Sequence, residues 1–173
     1  MSTLAVNTIT AETGSTITVP TGKNLVVTDS GGLYAPGTVV NVATEHTDGN
    51  TITSSTSYVT TGLSITYTPK KAGNLIIIQS NLGADTNAGG RSMRHTIFRD
   101  TTDLGSANGN GSATMSHDAG DRGFFPGNII AVDSNVTADS RVYSVRIKSG
   151  GSYSTEGDGT GARKTMIITE IAQ

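Results

Sequence analysis

An all-β protein is what this sequence predicts: a short N-terminal β arm followed by an antiparallel jelly-roll or β-sandwich head. Three observations carry that expectation. Isoleucine (14) and valine (12) far outnumber leucine (7), a balance that suits pleated sheets and suits helices badly. No window spaces its apolar residues at helical intervals over three turns with caps. Short runs alternate apolar with polar residues, and clusters of Gly, Asn, Asp and Ser separate them, as turns separate strands.

The arm rests on "STITVPTGKNLVVTDSGG", Ser15 to Gly32. Ile17 and Val19 alternate with threonines, Pro20-Thr21-Gly22-Lys23 turns the chain, and Leu25 and Val27 repeat the pattern before the break at Gly31-Gly32. Each run offers two or three apolar side chains and no helix follows to cover them. Copies of the same stretch in other chains are the expected partners. The Pro/Gly break at Ala35-Pro36-Gly37 sets the expected boundary: residues 1–36 form the arm, for attachment and trimerisation, and residues 37–173 form the head.

Eight strands are expected in the head. They are "TVVNVAT" from Thr38, "TSYVTT" around Val59, "LSITYTP" from Leu63, "NLIIIQSNL" from Asn74, "SMRHTIFRD" from Ser92, "NIIAVDS" from Asn128, "RVYSVRIKS" from Arg141 and "KTMIITEIA" from Lys164. Alternation assigns their faces. Leu63, Ile65 and Tyr67 point inward, as do Tyr143, Val145 and Ile147, with Ser144, Arg146 and Lys148 on the other side. Ile76, Ile77 and Ile78 are consecutive, so that strand is apolar on both faces. It is expected to be central, its outer face either meeting another subunit or buried within one. "LGADTNAGGRS" and "DLGSANGNGSATMSHDAGDRG" read as long loops, of a length that often carries binding, and "KSGGSYSTEGDGTGARK" as a flexible hairpin tip.

Composition narrows the function. Charged residues are 15% of the chain and the net charge is -2, so the basic stripe a nucleic-acid surface needs is missing. No apolar run approaches the ~20 residues of a membrane helix, and "MSTLAVNTIT" lacks the pattern of a secretion signal. Cysteine is absent, which removes disulfides, thiol nucleophiles and cysteine zinc sites. Leu, Ile, Val and Phe total 36 of 173 residues, a thin apolar supply that points to completion of the core by oligomerisation. No nucleic acid, membrane insertion or cofactor is expected.

Constellations for chemistry are weak. His117, Asp118 and Asp121 share "SHDAGDRG", but their spacing matches no calcium loop, and a polar turn is the plainer reading. His95 shares a strand face with Met93 and Ile97, which suits a satisfied or interface histidine better than a ligand. His46 stands alone. No serine occupies a Gly-x-Ser-x-Gly elbow, and "GDGTG" from Gly157 precedes no helix that would aim amides at a phosphate. No catalytic residue and no metal ligand is assigned, so an enzyme is not expected. A jelly-roll carbohydrate-binding module is the competing reading. Against it stands the scarcity of aromatic platforms, since Trp is absent and aromatics are 5%.

Taken together, "MSTLAVNTIT", "GSTITVPTGKNLVV" and "PGTVVNVAT" resemble the start of tail-fibre-like virion proteins from phages of marine bacteria and cyanobacteria. "TSSTSYVTTGLSITYTPKKAGNLIII" resembles the beginning of their globular domain, and "RHTIFRD" and "MIITEIA" its middle and last strands. The resemblance implies a homotrimer with an intertwined arm and a jelly-roll-like head. It further implies a structural or attachment role on the virion after synthesis in the host cytoplasm, and no catalysis. Within it the chain would be a short tail fibre with a receptor-facing head, or a trimeric capsid decoration (cement) protein stabilising the shell. Its partners would be its own copies, other capsid or tail proteins and, for a fibre, a host-surface glycan. Leu4, Val6, Ile9, Ile17, Val19, Leu25 and Val27 are the residues expected at the trimer and attachment interface.

Overall fold

The computed structural model describes residues 19–24, 26, 34–86, 91–105, 111–117, 123–134, 136–151, 155–157 and 163–173. Every regular element among them is a strand. The chain divides into two units, residues 1–32 and 33–173. In the first, the Lys23 amide donates to the Pro20 carbonyl (3.0 Å) with Gly22 at φ 77°. This is the turn expected from Pro-Thr-Gly-Lys, with glycine at the position that needs a positive φ.

Among the described residues the second unit contains eleven strands: β1 (Val39–Thr47), β2 (Thr51–Thr53), β3 (Val59–Tyr67), β4 (Leu75–Thr86), β5 (Arg91–Arg99), β6 (Thr102–Asp103), β7 (Ala113–His117), β8 (Gly123–Asp133), β9 (Arg141–Ser149), β10 (Thr155–Gly157) and β11 (Lys164–Ile171). All ladders are antiparallel. One sheet runs β1-β11-β4-β8, with β10 and β2 extending it beside the far half of β4. The other runs β3-β9-β5, with β6 and β7 side by side along the free edge of β5. The long pairings are nested: β1 with β11, β3 with β9, β4 with β8, and β5 with the short β6 and β7.

The core lies between the sheets and follows the period-2 alternation of their strands. Leu63, Ile65 and Tyr67 face inward from β3, and Tyr143, Val145 and Ile147 from β9. Met93, His95 and Ile97 join them from β5 of the same sheet, and Ile76, Ile78 and Leu82 from β4 and Met166 and Ile168 from β11 face them across the core. On β3, β9 and β5 these are the faces the alternation assigns.

Boundaries differ from expectation in informative places. "TSYVTT" and "LSITYTP" form one strand, β3, whose pairing with β9 shifts between Thr60 and Ser64. Gly62, at φ 82°, is the residue that lets the strand continue through the irregularity. Two expected loops contain strands. β4 runs to Thr86, and "SATMSH" supplies β7, which pairs with the edge of β5. The expected hairpin tip contains β10, bound between β2 and β4.

Glycine permits that close packing beside β5. Gly111 lies at φ 76°, and a Cβ there would stand 2.6 Å from the His95 carbonyl oxygen, a backbone atom that cannot swing away. Gly111→Ala therefore combines left-handed strain with a backbone clash. It is expected to destabilise the fold by about 2–4 kcal/mol, read as a lowered urea midpoint with an unchanged slope.

Candidate functional site

Four features outside the apolar core can carry function: the two outer faces of the sandwich and its two ends. The outer face of the β1-β11-β4-β8 sheet is built by the residues alternating with the core positions. Register aligns them into rows: Val42, Thr169, Ile77 and Val132 form one, and Thr44, Ile167, Gln79 and Ile130 the next. A third carries Val39, Ile171 and Leu75. Ile130 is 60% exposed, Val132 54% and Val42 54%. No Asp, Glu, Lys or Arg stands on these rows. A shallow groove of about 510 Å³ crosses the face beside Gln79, Asn81, Asn128, Ile130, Thr165 and Ile167.

The opposite outer face, on the β3-β9-β5 sheet, is cationic and partly covered. The Arg146 guanidinium lies 4.1 Å from the Phe98 ring centre and the Lys148 ammonium 4.4 Å from that of Tyr58. Tyr58 and Phe98 meet edge to face at 5.5 Å. The two faces of one sandwich thus differ sharply: one charge-free and aliphatic, the other sealed by cations on aromatic rings.

The ends differ as well. At the end where residues 34–38 enter and the chain finishes, two buried carboxylates flank Ile76 in a single row, Glu170 on β11 and Asp133 on β8. Each accepts a hydrogen bond from a tyrosine of the facing sheet. Tyr67 Oη donates to Glu170 at 2.6 Å and Tyr143 Oη to Asp133 at 2.9 Å. Glu170 also accepts from Asn74 Nδ2 (2.6 Å) and the Lys70 amide (2.8 Å). Asp133 is paired with Arg99 Nη1 at 2.6 Å. Burial first, and then the bonded carboxylate, push both phenols upward. The Tyr34 hydroxyl meets Asn74 Nδ2, the Gln173 amide donates to Asn74 Oδ1 (3.3 Å), and the Gly37 amide donates to the Ala172 carbonyl (2.8 Å). This network fastens the entering and leaving segments to the sandwich. A polar hollow of about 350 Å³, lined by Arg99, Asp100, Thr102, Thr137 and Arg141, opens at the same end.

At the opposite end the strand termini Thr47, Thr86, Arg91, His117, Gly123, Ser149 and Lys164 converge. Part of the second expected loop lies elsewhere, since the Leu104 and Ser112 amides donate to the Ile97 and His95 carbonyls alongside β5.

Of the expected interface residues, Val19 is described and is exposed. Leu4, Val6, Ile9, Ile17, Leu25 and Val27 lie outside the described residues, as do Asp118, Asp121 and the side chain of His117. Among the described residues no group of three acidic or histidine side chains could hold a metal. His46 is exposed on β1. His95 corrects an expectation. It is fully buried inside a single chain rather than at a surface, and neither ring nitrogen has a hydrogen-bond partner, so it is not satisfied. Burial pushes its pKa down to about 4.

Sequence reasoning found the outward Ile77 but missed Val42, Ile130, Val132 and Ile167. The signal was present, since Ile129-Ile130 and Ile167-Ile168 are adjacent apolar pairs, as in "LIII", and one of each pair must point away from the core.

No family model matches the chain, and no characterised protein matches it in sequence. Among solved structures, a chain from the disulfide-linked pili of Bacillus endospore appendages is 12% identical, covering 87% of this chain and 100% of that one, with a TM-score of 0.31. A chain of infectious bursal disease virus, Gx strain, is 15% identical, covering 76% of this chain, with a TM-score of 0.30. The present chain spans 40% of that viral one. Likenesses this distant carry no argument about function.

Proposed function

We propose that the chain is a non-enzymatic, homotrimeric phage virion protein, a short tail fibre whose head faces a receptor. The observation that carries the reading is the polarity of the sandwich. At its entry end Asn74, itself bonded to Glu170, holds Tyr34 of the entering segment. Seven strand termini meet at the other end, where a receptor or host-surface glycan would be met. The nested pairing of β1 with β11, β3 with β9 and β4 with β8 is the order of a rolled-up hairpin, and we read the head as a jelly roll. Residues 1–36 act as the attachment arm. A lectin acting alone is disfavoured because Tyr67 and Tyr143, two of its few aromatic side chains, are buried in the core.

Quantitative mass spectrometry of purified particles tests the assignment. A handful of trimers per virion is expected. Hundreds of copies would make the protein a capsid decoration instead, and its absence from washed particles would remove the virion role altogether.

A further inference from the structure

The charge-free outer face of the β1-β11-β4-β8 sheet is the largest feature the fold leaves unused. Four strands at about 4.8 Å spacing and about seven residues at about 3.3 Å each give it a projected area of roughly 400 Å². Val39, Val42, Ile130, Val132 and Ile167 are exposed together on it, and grouped exposed apolar side chains mark contact sites. We infer that this face is the contact between copies of the chain, turned toward a three-fold axis so that β8 of one copy lies beside β1 of the next. The inference rests on the trimeric reading and specifies its geometry.

Two observations select a second copy as the occupant. The first is charge. With no ionic group on its rows, the face matches only a partner surface that is equally uncharged. The opposite face of the sandwich carries Arg146 and Lys148 and does not match. Among the described residues the charge-free aliphatic surface is this same face. The second is where its most exposed residues stand: Val39 and Val42 on one edge strand, Ile130 and Val132 on the other. Val42 and Val132 occupy the same row, so a rotation about an axis along the strands brings the β8 edge of one copy level with the β1 edge of its neighbour. Such a contact joins two different edges, which is the heterologous kind that closes into a ring.

Cysteine cross-linking of the full-length protein tests the geometry, since the chain has no cysteine of its own. Three strand spacings, about 14 Å, separate positions 42 and 132 within one chain, beyond the reach of a disulfide. The double variant Val42→Cys/Val132→Cys is expected to oxidise to covalent dimers and trimers and to stop at three. Each single variant is expected to stay uncross-linked. Cross-linking by Val132→Cys alone would overturn the ring in favour of a two-fold contact. Absence of cross-links in the double variant, in a protein whose mass is still three chains, would overturn the face assignment and leave the trimer standing. A mass of one chain would overturn both.

Discussion

Glu170→Leu is expected to destabilise the protein by about 3 kcal/mol. Glu170 is fully buried and accepts from Tyr67 Oη, Asn74 Nδ2 and the Lys70 amide. Leucine fills a similar volume but removes the acceptor of all three hydrogen bonds, and a buried donor that loses its partner costs about 1–3 kcal/mol. Relief from burying a charge offsets part of that sum. In a unit of this size the loss corresponds to a fall of roughly 10 °C in Tm, compared at one protein concentration. Adding Tyr67→Phe to the variant removes one stranded hydroxyl. It should recover about 1 kcal/mol, a coupling that a double-mutant cycle measures. An unchanged Tm in Glu170→Leu would mean that the entry end is held by something else.

His95→Leu is expected to act in the opposite direction and to depend on pH. The folded imidazole is held neutral by burial, its pKa down at about 4 against an ordinary 6.5. An unfolded chain therefore binds a proton at this position that the folded chain refuses. Stability is unaffected by this group above about pH 6.5, falls as pH drops below it, and stops falling near pH 4. At pH 5 the loss is about 2 kcal/mol at 1.36 kcal/mol per pH unit. The variant keeps every carboxylate, so the difference between the two urea titrations at pH 7 and pH 5 isolates His95. Leucine also removes two unpartnered ring nitrogens, which should leave the variant at least as stable as the parent at pH 7. Parallel loss in both proteins on acidification would contradict the account.

How far the sequence reveals this molecule depends on the range of the forces involved. Period-2 alternation is local, and it correctly assigned Leu63, Ile65 and Tyr67, the inward row of β9, and the row Met93, His95, Ile97. The short β6, β7 and β10 were not legible. Their residues are turn formers by composition and become strands only because the edges of β5, β2 and β4 offer them partners. Glu170 and Asp133 were missed for the same reason. Each is a carboxylate at an inward position, and what makes it tolerable there lies 103 residues away at Tyr67 or 34 away at Arg99. The apolar outer face was half legible. The triple isoleucine of β4 showed it, whereas Ile130 and Ile167 needed the same argument applied to pairs.

The central claim is that three copies of this chain form one particle-bound unit. Light scattering of the purified full-length protein at low micromolar concentration tests it most directly. The account predicts a mass three times that of the 17.7 kDa chain, unchanged on tenfold dilution, and a mass of one or two chains would contradict it.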